Sequence, residues 1–226
     1  MTRKPRAFES VLAQIERRIV DDGLTAGDRL PGERQLAEQL QVGRSSVREA
    51  LRVLESLGVV SSQAGRGPDA GAVLTARPGS ALTDLLRLHL GLASLELREV
   101  VDTRLMIERW AAARAAEAGA DTSALAASIA AMAAAASAEE FVEHDTAFHC
   151  AIAEASGNRL IAAIMRSLRD SVRRHAVEAV ERLGDTAVLQ ADHERIMAAI
   201  AAGDPDAASD AVAAHLEHAY PELFRG

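Results

Sequence analysis

Four phenylalanines, one tryptophan and one tyrosine are all the aromatic side chains that 226 residues provide. Interiors must therefore be built from aliphatic residues and from alanine, which has the highest helix propensity and allows helices to approach closely. The run ALAASIAAMAAAASA at 124–138 is the extreme case, a helix rather than a low-complexity tract. The expected class is mainly α.

Residues 1–76 carry a more specific pattern. Phe8, Val11, Leu12, Ile15 and Ile19 share one face of a first helix, about 8–22. DGLTAGDRLPGE follows, with Gly23, Gly27, Pro31 and Gly32 as breakers. ERQLAEQL is two turns of helix, QVG a turn, and RSSVREALRVLESLG a longer helix. Val47, Leu51, Leu54 and Leu57 are its buried stripe and Gly58 its stop. VVSSQ and AVLTA are β-prone and flank the turn AGRGPDAG, which predicts a hairpin. Helix, helix-turn-helix and small β-hairpin, in that order, make a winged helix-turn-helix.

The net charge of −8 argues against nucleic acid only until it is mapped along the chain. Residues 1–78 hold 12 Lys/Arg against 10 Asp/Glu, and the remainder holds 13 against 23. The acidity belongs to the C-terminal part, so a local basic surface remains available. Arg44, Ser45, Ser46 and Arg48 cluster where a recognition helix meets base edges and phosphates, with Arg52 one turn on. A generic helix would carry acids there, following its dipole. Arg34 begins the preceding helix in position for phosphate or base, and Arg66 in the wing can reach a minor groove or phosphate.

RPGS at 77–80 reads as a linker, and 81–226 contains only helical pattern. The expected helices are 81–91, 95–118, 122–136, 138–156, 159–183, 186–202 and 205–221. Ser137 and Glu140 form a capping box, and Asp204 with Pro205 starts the last helix. Asp145 and His149 stand one helical turn apart, about 5–6 Å at Cβ. His193 and His215 each lie beside an apolar stripe on later helices. Three histidines and a carboxylate suit Zn, Ni or Mn. Spacing alone leaves two readings open, a metal site or separately satisfied histidines with an Asp–His hydrogen bond.

LPGERQLAEQLQVGRSSVREALRVLESLGVV closely resembles the winged helix-turn-helix of GntR-family transcription regulators, over residues 8–76. The resemblance implies DNA contact by Arg34, Arg44, Ser45, Ser46 and Arg48, with Gly65 at the wing tip, and dimers on palindromic double-stranded operators. The wing is longer than the commonest family form. DTAFHCAIAEASGN, HERIMAAI and the last-helix histidine resemble the effector domain of the FadR subgroup. That likeness implies a divalent metal, zinc first, on Asp145, His149, His193 and His215. TRLMIERW resembles the family's R-x-x-x-E helix, so Arg104 is the expected grip for a small carboxylate effector.

The combined expectation is a cytoplasmic homodimeric regulator, a repressor released by effector, and not an enzyme. It comprises a DNA-binding domain at 1–76, a linker at 77–80 and an all-helical effector and dimerisation domain at 81–226. No segment reaches the roughly 20 apolar residues of a membrane span. Two rivals stand beside it. One is a metal-dependent enzyme fused to a DNA-binding module, for which Glu143, Glu154 and Glu194 are unassigned acid–base candidates. The other is a regulator whose metal is structural or is itself the signal.

Overall fold

The computed structural model describes residues 7–62, 72–75 and 79–224. Cα packing divides the chain into two compact units, 1–81 and 82–226.

In the first unit, α1 (Ala7–Asp21), α2 (Glu33–Leu40) and α3 (Arg44–Ser56) precede β1 (Val60–Ser62) and β2 (Ala72–Leu74). The strands pair antiparallel, Val60 opposite Leu74 and Ser62 opposite Ala72. Val11, Ile15, Leu36, Val47, Leu54, Val60 and Leu74 form one core, with Leu12, Ile19 and Leu51 packed partly buried against it. Leu57, expected in the α3 stripe, lies just past the helix end and is 47% exposed. Gly58 takes φ 69 after α3, the left-handed conformation that a helix stop requires. The connector after α1 does more than turn. Arg29 bridges Val73, Leu30 N–H donates to Ala72 O at 2.9 Å and Leu74 N–H to Asp28 O at 2.8 Å. The connector thereby bonds to the edge of the two-stranded hairpin through an isolated bridge, beside the buried Leu30. Gly65 and Arg66 lie outside the described residues, as does the whole of the turn that carries them.

The second unit is helical throughout its described residues. It contains α4 (Gly79–Gly91), α5 (Leu97–Glu117), α6 (Ser123–Ala134), α7 (Ala138–Ala155), α8 (Arg159–Ser171), α9 (Arg173–Leu183), α10 (Ala187–Ala201), α11 (Pro205–Ala219) and α12 (Pro221–Phe224). Residues 77 and 78 of the expected linker lie outside the described residues, while Gly79 and Ser80 already belong to α4. Ser137 Oγ accepts the Glu140 N–H at 3.2 Å, and the Glu140 carboxylate reaches past the cap to Ala136 N–H at 2.8 Å. Asp204 caps α11 through Ala207 N–H, with Pro205 at its start.

The helix expected over 159–183 is two helices, broken at Val172. Ser171 Oγ donates to Leu168 O at 2.7 Å, competing with the backbone ladder, and Val172 is fully tucked against Val100. The last long helix ends at Ala219 because Pro221 bars Tyr220 from helical geometry, leaving it at φ −133, ψ 56.

Ala111, Ala112, Ala115 and Ala116 are buried along α5, which packs along α11. α10 packs on α11 and α5, and α7 lies against α5 and α6. Phe148 and Ile152 seat α7 in this core. Four helices from distant parts of the sequence thus face one interior.

Candidate functional site

Among the described residues, Arg104, Glu108, Asp145, His149, Arg169, Asp192, His193 and His215 are buried polar or charged side chains of this unit. Their positions follow from helical spacing. α5 presents Arg104 and Glu108 one turn apart, α7 presents Asp145 and His149 likewise, and α10 and α11 contribute His193 and His215. One ligand atom from each of Asp145, His149, His193 and His215 lies within 4.8 Å of all the others.

The contacts inside this cluster are close but mostly not hydrogen bonds. His193 Nε2 stands 3.0 Å from Asp145 Oδ1, and His149 Nε2 stands 3.5 Å from the same oxygen. His149 Nε2 and His215 Nε2 face each other at 3.2 Å. Both ring nitrogens of His193 and Nδ1 of His215 are buried with no hydrogen-bond partner. Converging nitrogen lone pairs beside a carboxylate oxygen, left unsatisfied by the protein, fit a divalent cation. Burial and the neighbouring histidines hold His193 and His215 well below the ordinary imidazole value, although burial is the larger cause for each. Near neutral pH these rings are therefore uncharged, the form that ligates metal.

A second layer surrounds the four. Glu108 Oε2 reaches His149 Nδ1 at 2.5 Å, without hydrogen-bond alignment, while Oε1 accepts from Arg104 Nε at 2.9 Å. Burial pushes the Glu108 carboxyl up, but the His149 and Arg104 charges outweigh it and hold it well below the usual range. Burial likewise opposes the Arg104 charge, yet Glu108 and Tyr220 raise its pKa. Arg104 Nη1 also contacts the Tyr220 hydroxyl at 3.3 Å. Asp192 lies behind His215, with Oδ2 3.9 Å from its Nδ1, and is held by Arg195 and by His218 at 2.8 Å. Carboxylates behind metal-ligating histidines fix the ring orientation and raise basicity. Cys150 follows His149 but is no ligand; burial pushes its thiol up to about 11.

Arg104, Asp145, Arg169, His215 and Tyr220 line one pocket together with apolar residues that include Phe141, Val142 and Leu189. Sequence spacing did not single out Arg169, Asp192 or Tyr220. A signal for Arg169 existed: Met165, Leu168, Arg169 and Val172 share helical spacing, so an arginine interrupts the apolar stripe of α8.

In the first unit, Arg34, Arg44, Ser45 and Arg48 are exposed and Ser46 is half-buried. No acid occupies the first turn of α3, leaving its N-terminal N–H groups open to phosphate. Arg48 donates through Nε and Nη2 to the Glu33 carboxylate, at 3.0 and 2.8 Å, which brings the start of α2 and its Arg34 beside the start of α3. That pairing lowers the Glu33 pKa and raises that of Arg48.

Residues 8–68 match the bacterial regulatory proteins of the gntR family, and residues 99–218 match the FCD domain. The chain belongs to the GntR family. Its FCD domain fits the FadR-like subgroup, and the family makes it a transcription regulator rather than an enzyme. The HTH-type transcriptional repressor NanR of Citrobacter rodentium is 34% identical over 221 residues, 94% of this chain and 84% of that protein. The Glc operon transcriptional activator of Escherichia coli K12 is 31% identical over 170 residues, 72% of this chain. The match spans 65% of the activator's length. A solved Streptococcus agalactiae GntR superposes with a TM-score of 0.70 over 95% of this chain and 99% of its own. At 23% identity that likeness concerns the fold alone. Among the described residues no helix is long and apolar enough to cross a membrane.

Proposed function

We propose that this GntR-family member is a cytoplasmic homodimer that binds a palindromic operator and represses until a small carboxylate effector releases it. The carrying observation is the convergence of Asp145, His149, His193 and His215, of which Asp145 and His215 line one pocket with the buried Arg104. In this reading those four residues hold a divalent ion, zinc being best suited to three imidazoles and one carboxylate. When bound, the ion supplies a coordination position for a carboxylate oxygen of the effector. Glu108 supports His149 from behind, Asp192 stands at longer range behind His215, and Arg104 pairs with the effector carboxylate.

Residues 1–76 read DNA in this proposal, with Arg34, Arg44, Ser45, Ser46 and Arg48 on the operator and Gly65 and Arg66 in the wing. Residues 77–80 link that module to the effector and dimerisation domain at 81–226. An effector can shift operator affinity only by binding one arrangement of the dimer more tightly than another.

Native mass spectrometry of the purified chain tests these claims together. The expected spectrum is a dimer carrying one divalent ion per subunit, with any retained small acid as added mass. A monomer, or a dimer that takes up no added zinc, would overturn the reading.

A further inference from the structure

Two arginines, rather than one, are buried at this pocket. Arg169 is 4% exposed, donates through Nη2 to Asp145 Oδ2, and has an Nη1 that is buried without a partner. A charged donor kept from both water and acceptor is costly, so its persistence in a pocket wall marks a place for an anion. Burial, with the nearby Arg104 charge, pushes the Arg169 pKa down to about 9, which still leaves the guanidinium charged near neutral pH.

The balance of charge sharpens this. Arg104 and Arg169 are matched by Glu108 and Asp145, and Asp192 is matched by Arg195. A divalent ion on Asp145 and the three histidines would leave two positive charges uncompensated inside the protein. One carboxylate removes half of that excess and leaves Arg169 Nη1 with nothing to bond.

We propose that the pocket takes a small dianion bearing two carboxylates, one received at the metal-binding set with Arg104 and the other by Arg169 Nη1. This rests on the effector reading above. The rest of the wall, including Val142, Ala179, Leu183 and Leu189, offers no side-chain donors, so both carboxylates must be met by Arg104, Arg169 and the metal-binding set.

L-malate and L-lactate share an α-hydroxy carboxylate head and differ by one carboxylate, which makes them matched probes. Calorimetric titration of the zinc-loaded full chain should show malate binding at least about tenfold tighter than lactate, as one added charged contact implies. Arg169→Gln should erase that preference while zinc affinity, read by chelator competition, is retained well enough to load the site. Arg169→Lys should reduce it at least about threefold, because a single ammonium cannot serve Asp145 and a ligand together as a fork does. Equal binding of the two acids by the unaltered chain would overturn the dianion and leave the metal-bound carboxylate standing. So would an undiminished preference in Arg169→Gln, or in Arg169→Lys should the glutamine variant fail to fold by circular dichroism. Zinc uptake with neither acid bound would overturn both.

Discussion

Glu33 holds Arg48 from the neighbouring helix, its carboxylate accepting from both Nε and Nη2 of a guanidinium that is half exposed. In the proposed reading, the fork that would meet a base edge is thus already occupied, and operator binding would have to take it from Glu33. Replacing Arg48 with alanine should weaken operator binding by about 1–3 kcal/mol while leaving dimer mass and effector affinity unchanged. Glu33→Gln removes an acid from the DNA face and frees the fork, so non-specific affinity should rise and the specific-to-non-specific ratio fall. Fluorescence anisotropy on operator and scrambled duplexes measures both. An Arg48→Ala protein with full operator affinity would displace α3 as the reading helix.

The metal reading separates ligands from their supports. His193→Ala should lose the ion from the purified protein and weaken carboxylate binding with it. Glu108→Gln, which touches His149 from behind, should keep the ion but bind it roughly 10–100-fold more weakly. Chelator competition followed by metal analysis distinguishes the two. Carboxylate affinity unaltered in metal-free His193→Ala would make the ion structural.

The buried histidines also set a pH dependence. His193 and His215 have folded pKa values well below their ordinary 6.5, so below that value the unfolded chain binds more protons than the folded one. Stability of the metal-free protein is then fully present above about pH 6.5 and declines as the pH falls further. Thermal melts with chelator from about pH 5 to about pH 8 should show a midpoint that drops on the acid side. A flat profile would mean that the rings are not desolvated as described.

The alanine seam is the fourth point of attack. Ala112 is fully buried on α5, the helix that packs along α11, and neither helix can retreat without disturbing Glu108 or His215. Ala112→Leu should cost about 1–3 kcal/mol in denaturant unfolding. It should also lower metal affinity, although residue 112 touches no ligand. A purely local effect would show lost stability with zinc binding intact.

Much of this molecule is legible in its sequence where local rules act alone. Gly58, Ser137, Asp204 and Pro205 punctuate the helices where their chemistry requires, and Val11, Ile15, Val47 and Leu54 bury as spaced, whereas Leu57, beyond the last turn of α3, does not. The break at Val172 is not legible, because it depends on a serine hydroxyl choosing a backbone carbonyl within an otherwise continuous helical pattern. The four-residue cluster is half legible. Asp145 and His149 are one turn apart on any helix, whereas the arrival of His193 and His215 depends on how α10 and α11 cross α5. Only resemblance to a family pointed to that convergence. Arg169 shows the opposite failure: it interrupts an apolar stripe, and spacing gives no reason to prefer a buried partner over a bent side chain.

Tyr220, whose hydroxyl meets Arg104 at the pocket, is the chain's only tyrosine, and Trp110, half a turn beyond Glu108 on α5, is its only tryptophan. The protein therefore carries one phenol chromophore at the place where an acid would compete for a guanidinium, and one indole close by on the same helix as that arginine. Beyond the short-wavelength band of the four phenylalanines only these two rings absorb, and with Trp110 half exposed, a change at Tyr220 is the optical signal of occupancy that needs no attached dye.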